Sequence, residues 1–452
     1  MTSTPSVKPS TVEAGPRQGR ASVGLWMPGA AFLTWWITCF TMYLLQWPIA
    51  YEQVNLTKVS LLFGATTAGA WAGYRIGINA CSPVLFSVRS KFSSALIPML
   101  GLACTIALFI PVTRAYSGFD VSEMGLAFGD QAGAYSEASS RIAEGFSSRS
   151  TVVIAQTLLA PLTLVAVPYF ALAWFQERRH LWPFLIAVSL PIVSSMLVGR
   201  DQQIGITMIM VAVGWLVSRY SRGLSLTLGG VVAGTALAVS FLFAFGARKL
   251  ERTAGLVRCP PGSAECAGAA KPSLLDGSLT IFGSYATQGL EGLGRALEGT
   301  WHFGGGLSHS PALSSFFQLG SSNEPTVTDQ LIYHGWSPSG YWSTALTSLA
   351  NDIPWPLVPI VIGLQAALLG LSWRSAIAHT DWLSVSVFGY TWIAMLYVPM
   401  NLQLAISGPL YIGYLALAGI FTWRRAKSNR THREGQRSRV SCIAALGRAA
   451  RH

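Results

Sequence analysis

The chain reads as ten apolar stretches separated by polar segments. They run roughly over 24–46, 59–78, 94–113, 151–174, 181–199, 203–218, 224–246, 354–373, 382–400 and 402–422. A bilayer core of about 30 Å needs about 20 mainly apolar residues per helix. Each stretch therefore predicts a transmembrane helix, although 59–78 is rich in Gly and Ala and 203–218 is short. The first stretch is too long for a cleavable signal and lacks a small-residue cleavage site. Pro161, Pro168, Pro183, Pro191, Pro354, Pro356 and Pro359 lie inside or at the ends of the stretches. They predict kinked or re-entrant helices, because every carbonyl buried in lipid still needs a donor. The expected fold is all-α: a polytopic bundle with a disordered tail at 1–23, seven helices over 24–246, a large loop at 247–353, three more helices over 354–422 and a basic tail at 423–452.

Composition sharpens this picture. Of 452 residues, 51% are apolar and only 11% are charged, whereas a soluble domain carries about a quarter charged residues. A water-soluble enzyme, a disordered chain and a compact nucleic-acid binder are excluded. The 16 Trp, 21 Phe and 14 Tyr suit span ends at a lipid interface. The formal charge of +12 is a matter of location, since nine of the 31 Lys+Arg lie after Trp423. With the N-terminus inside, the inner segments hold 20 basic residues against four acids (Glu13, Glu177, Asp381, Glu434). The outer segments hold the other 11 basic residues and 15 acids. The positive-inside rule thus predicts both termini in the cytoplasm, with the basic tail touching anionic lipid rather than nucleic acid.

Two expected outer segments are long, 114–150 and 247–353, and long loops in compact proteins are usually functional. In 131–146, Glu137 and Arg141 are helical neighbours, with Glu144 beyond. In 287–301, Leu290, Leu293, Leu297 and Trp301 form an apolar stripe, and Glu291, Arg295 and Glu298 line the other face. That pattern predicts a helix lying on the membrane surface. Arg295 is either an ion-pair partner of Glu291 or a phosphate contact. Apart from Arg75, no Asp, Glu, His, Lys or Arg falls within the ten stretches. Ion-coupled transporters usually need such groups, so chemistry is expected at the outer surface instead.

Gly199-Arg200-Asp201 is a very short outer turn. Arg200 could grip phosphate bidentately, pair with Asp201 or snorkel as an anchor. Arg114, Arg248, Lys249 and Arg252 lie at the same depth and could complete a cationic pocket, or contact lipid headgroups. His302, His309 and His334 fit no zinc signature, so no metal is expected. One of them could be a general base. Asp352 could be a base or could cap the helix that begins at Pro354. Cys259 and Cys266 could form a small disulfide in an oxidising compartment. There is no phosphate-binding loop, nucleophile elbow or kinase set.

Several segments resemble a family in chain order. Ser194-Ser195-Met196-Leu197-Val198-Gly199-Arg200 is similar to a segment ending in Gly-Arg before a helix. Ser284-Tyr285 with Gly289-Leu290 resembles a loop-helix start. Tyr341-Trp342-Ser343-Thr344-Ala345-Leu346 and Ala350-Asn351-Asp352-Ile353-Pro354 resemble a "Tyr-Thr-x-Leu … Asp-Phe-Gly" segment, with Pro354 where Gly is expected. Together these resemble the O-antigen polymerase (Wzy-type) and oligosaccharide repeat-unit polymerase family. His309-Ser310 with Gly320 also fits a spacing found in the related O-antigen ligases, although about 30 residues then separate it from the next span.

The resemblance implies a membrane glycosyltransferase of the bacterial inner membrane. It would transfer undecaprenyl-diphosphate-linked oligosaccharide between lipid carriers, without a cofactor. Chain-length regulator and exporter proteins would be its partners. Asp352 would be the first candidate base, with His309 and His334 behind it. Arg200, Arg248, Arg252, Arg295, Arg114 and Tyr285 would bind the lipid-linked substrate. A polyprenyl-phosphosugar-dependent glycosyltransferase of the GT-C type normally carries acids in its first outer loop, and here that loop has only Glu52. An exporter or flippase would place charges along an inner cavity.

Overall fold

The computed structural model describes residues 18–80, 95–117, 133, 138, 151–252, 273–317, 324–338 and 341–449. The described residues are helical and contain no strand. In chain order they form α1 (Gln18–Leu44), α2 (Leu56–Asn79), α3 (Leu96–Ser117), α4 (Thr151–Thr163), α5 (Ala166–Glu177), α6 (Leu181–Leu197), α7 (Gln202–Ser221) and α8 (Leu228–Arg252). There follow α9 (Leu274–Ala296), α10 (Pro311–Phe317), α11 (Val327–Gln330), α12 (Ala345–Ala350), α13 (Val358–His379), α14 (Trp382–Tyr397) and α15 (Gly408–Ala449). Among the described residues, four segments are long and apolar enough to cross a membrane: Leu96–Ser117, Thr151–Glu177, Gln202–Ser221 and Trp355–His379. The chain is a membrane protein by that measure. The expected helix in 131–146, but for positions 133 and 138, and the pair Cys259/Cys266 lie outside the described residues.

Prolines shape the bundle through the carbonyls they release. Pro168 has no N–H for the Leu164 carbonyl four residues back. The segment 151–177 breaks there into α4 and α5, and the Tyr390 hydroxyl donates to Leu164 O at 3.1 Å. Pro28 in α1 likewise releases the Gly24 carbonyl, which accepts from Trp373 Nε1 at 3.1 Å. Both released carbonyls are thereby tied to partners far along the chain.

The Gly/Ala-rich stretch that makes α2 only weakly apolar has a packing cause. A Cβ at Gly73 would sit 1.9 Å from the Gly363 carbonyl oxygen, and one at Gly77 would sit 2.0 Å from that of Ala367. α2 and α13 therefore approach backbone to backbone, as small-residue helix pairs in membranes do. At the far end of α2, Arg374 donates to Ile78 O at 2.5 Å and Arg425 to Ala80 O at 3.0 Å. These cations satisfy the terminal carbonyls, where the helix dipole favours them.

The helix expected to lie on the membrane surface is instead buried. α9 begins at the Ser273 cap and ends at Ala296, and every residue from Ala286 to Ala296 is buried. Its glycines admit the loops at one end of the bundle, with Gly289 against the Pro399 carbonyl and Gly294 against that of Val54. Its polar face is covered as well, because Glu291 and Arg295 find partners inside the protein. The large segment after α8 is thus folded onto the ends of α1, α2 and α14. Its core includes Leu290, Leu293, Trp336 and Leu346 together with Trp36, Trp373 and Phe388 of the bundle.

Candidate functional site

Residues 301–310 and 350–352 are held together by hydrogen bonds. Trp301 Nε1 donates to the Ala350 carbonyl at 2.8 Å, and the Gly304 N–H to the Asn351 carbonyl at 2.7 Å. The Asn351 carboxamide donates to the Ser308 carbonyl at 3.1 Å. Gly305 and Gly306 have φ of +91° and +89°, a backbone that side chains rarely adopt. This turn aims the Gly306 N–H at Asp352 Oδ1 at 2.8 Å, while the His309 N–H donates to Oδ2 at 2.8 Å. His309 Nδ1 lies 2.7 Å from that same oxygen, and His309 Nε2 lies 2.8 Å from the hydroxyl of Tyr411 in the first turn of α15.

The charge states follow from these partners. The Asp352 side chain is 5% exposed and that of His309 14%. Burial alone would raise the Asp352 carboxyl. Hydrogen bonds from the His309 ring and backbone and from the Gly306 backbone outweigh it and hold the group below the ordinary Asp value. An ionised carboxylate can only accept, so Nδ1 carries the imidazole proton. In the neutral imidazole the Nε2 lone pair then accepts from the Tyr411 hydroxyl. Asp352 orients, and His309 Nε2 is the atom able to take a proton. The expected order of the two residues is thus exchanged. Asp352 does not cap the turn at Trp355–Leu357 either, since Pro354 holds that position without a side-chain bond.

Beside this relay lies a cavity of about 530 Å³ between α3, α4, α6, α7, α10 and the start of α15. Its walls are mostly apolar, and Arg200, Gln202, Gln203, Gln156 and Tyr116 supply polar groups. Pro311–Leu313 and Gly408–Leu410 form part of the wall, so the chain leaves the cavity directly into His309 on one side and Tyr411 on the other. Ser310 is pinned there by its hydroxyl, which donates to Ala405 O at 2.8 Å. The Gly199-Arg200 turn is closed by the Arg200 N–H on Ser195 O at 2.9 Å and by the Ser195 hydroxyl on Arg200 O.

No protein-family model, curated protein or solved structure matches this chain.

The remaining expected site residues fall into separate places. Arg248 pairs with Asp201 at 3.2 Å, beside Arg200 in sequence. Arg114 is exposed in the last turn of α3. Tyr285 packs edge-on against Trp342 at 4.6 Å, with Lys249 Nζ 5.7 Å above its ring. The side chain of Arg252 and residue Gly320 lie outside the described residues.

Arg295 and His334 belong to a second buried network. Arg295 donates to Glu291 Oε1 at 3.1 Å, Glu52 Oε2 at 2.6 Å and the His334 carbonyl at 2.8 Å. Its guanidinium also lies 5.6 Å from the Trp336 ring centre. Tyr43 Oη and the Gln53 N–H donate to Glu291 Oε2 at 3.0 and 3.1 Å. Burial pushes the Glu291 carboxyl above the usual range, against the lowering by Tyr43 and Arg295. Of the two readings of Arg295, the ion pair with Glu291 is present. His334 Nδ1 faces Glu298 at 3.1 Å, not the His309 relay.

Sequence reasoning missed Tyr411, which reads as an interface aromatic inside an apolar stretch. The run Gly304-Gly305-Gly306 was the legible sign of an unusual turn near His309.

Proposed function

We propose that this protein polymerises undecaprenyl-diphosphate-linked oligosaccharide repeat units on the outer face of a bacterial inner membrane. The observation that carries the reading is the oriented Asp352–His309–Tyr411 relay beside an apolar cavity with Arg200 on its wall. In this reading α1, α2, α3, α4 with α5, α6, α7, α8, α13, α14 and α15 are the ten spans, and both termini are cytoplasmic. Transfer breaks the bond between the anomeric carbon and the diphosphate oxygen of one lipid-linked glycan. An acceptor hydroxyl of a second lipid-linked unit replaces the Tyr411 hydroxyl at His309 Nε2. As its oxygen bonds to the anomeric carbon, its proton passes to Nε2. The departing lipid diphosphate gains negative charge, which the Arg200 guanidinium offsets. Membrane lipids and the lipid-linked oligosaccharide are the partners, with chain-length regulator and exporter proteins acting beside the enzyme.

The test is a deletion strain whose surface glycan is separated on a gel. Loss of the protein leaves single repeat units in place of long chains. His309→Ala and Arg200→Ala reproduce that pattern at unchanged protein level. Normal chain lengths in both variants refute the assignment, and accumulation of lipid-linked units on the inner leaflet points to an exporter.

A further inference from the structure

The proton-accepting atom of the relay lies near water without being open to it. Gly305 and Gly306, in the turn that holds Asp352, are exposed, and the His309 side chain is 14% exposed. His309 Nε2 is nevertheless occupied, because the Tyr411 hydroxyl donates to it at 2.8 Å. The phenol stands edge-on to the imidazole, with ring centres 5.5 Å apart and planes at 78°. Tyr411 is set there by α15, whose first turn is fixed by the Tyr411 N–H on Ser407 O at 2.9 Å and by Gly408 lying against Ala312 of α10.

That arrangement answers a problem of chemistry. A base that takes a proton from an acceptor hydroxyl also takes one from water, and water ends a glycan chain where an acceptor would extend it. Enzymes commonly solve this by closing over the site and expelling solvent. Here the neighbouring turn is exposed, and a tethered hydroxyl fills the place that water would take. Among the described residues, that hydroxyl bonds to no group but His309 Nε2, so displacing it breaks one hydrogen bond. A single water gains only the bond it replaces and competes with a group held at high effective concentration. An acceptor glycan also brings the contacts of its other sugars, and that binding energy displaces the phenol.

We propose that Tyr411 guards His309 against water, so that the site transfers glycan instead of hydrolysing it. The proposal rests on the polymerase reading and goes beyond it in assigning to Tyr411 the choice between two acceptors. In the unguarded reaction, the water oxygen bonds to the anomeric carbon as the bond from that carbon to the diphosphate oxygen breaks. One water proton passes to Nε2 and from there to solvent. The products are a free reducing oligosaccharide and the lipid diphosphate.

The experiment compares Tyr411→Phe, His309→Ala and the double variant in the deletion strain, with the full chain expressed at matched protein level. Surface glycan is separated on gels, and soluble repeat units in the osmotic-shock fluid are labelled at their reducing ends and measured. Tyr411→Phe keeps the ring and lacks the hydroxyl. It should release about tenfold more free oligosaccharide than wild type, the factor that one hydrogen bond controls, and its surface chains should shorten. The double variant should release no more than His309→Ala. Tyr411→Leu gives the same readout if the Phe variant does not accumulate. Wild-type release and chain length in Tyr411→Phe, beside a His309→Ala that makes no chains, overturn the guard and leave the polymerase. A Tyr411→Phe variant as inactive as His309→Ala overturns it too, since the phenol would then be needed for transfer. So does release that persists in the double variant, because that water would not be activated at His309. Normal chains in His309→Ala remove the polymerase reading itself and the guard with it.

Discussion

Replacing Arg295 by Met separates a structural role from a role in binding phosphate. The guanidinium serves a Glu291 side chain that is 1% exposed, a half-exposed Glu52 and the His334 carbonyl. Removing one partner of a buried ion pair costs about 3–5 kcal/mol, because the other charge is stranded. The bond to Glu52 adds less than about 1 kcal/mol, since water screens that carboxylate. Arg295→Met should therefore lose about 3–5 kcal/mol at neutral pH. Adding Glu291→Gln should return most of it, because the new carboxamide keeps an acceptor for Tyr43 and Gln53 without a charge. The pH dependence has a definite sign. Burial already raises the Glu291 carboxyl, and without Arg295 it rises further. The penalty of the single variant is present above that raised value and shrinks as pH falls through it, when the group becomes neutral. Denaturant unfolding in detergent, followed by tryptophan fluorescence at several pH values, measures both effects. A variant within about 1 kcal/mol of wild type, or a deficit that ignores pH, would refute the buried-pair account.

Asp352→Asn should cut glycan chain growth by about 10²–10⁴ at unchanged protein level, because His309 loses its fixed tautomer; gels of surface glycan decide it. The wild-type Asp352 contribution to stability is present above the unfolded Asp value of about 3.9 and is lost as pH falls through the lower folded value, whereas the Asn variant lacks this acid dependence. Tyr411→Phe uncovers His309 Nε2, so carbethoxylation of His309, mapped by peptide mass spectrometry, should accelerate; an unchanged rate would show that the Tyr411 hydroxyl does not cover that nitrogen. Tyr390→Phe should destabilise by about 1–3 kcal/mol by orphaning the Leu164 carbonyl. The same change should cost less in a Pro168→Ala background, where residue 168 regains an N–H, and additivity in that cycle would contradict the shared acceptor.

Helical architecture was legible because apolar run length is a local property. The prolines at 161 and 168 also announced a break, and α4 and α5 part just before Pro168. What hydropathy could not convey is which weakly apolar segment is buried by protein rather than by lipid. The α2 stretch is low in apolar residues because Gly73 and Gly77 admit another backbone, and the partner carbonyls lie some 290 residues away in sequence. The period of 287–301 misled for the same reason. An amphipathic stripe reports two chemically different faces, not where they go. Glu291 and Arg295 make a polar face that resembles a solvated one until Tyr43, Glu52 and Gln53 close over it.

The site was half legible for a related reason. His309 and Asp352 stood out as isolated titratable residues in a charge-poor chain, but nothing local linked two residues 43 positions apart. Their roles depend on who donates to whom, and those donors include two backbone N–H groups that no side-chain motif records. Asp352 alone looks like a base. With Gly306 N–H, His309 N–H and the His309 ring all directed at it, it already accepts three hydrogen bonds, which favour its charged form and lower its affinity for a proton. Proton affinity passes to the opposite edge of the imidazole, where Tyr411 waits 102 residues further on.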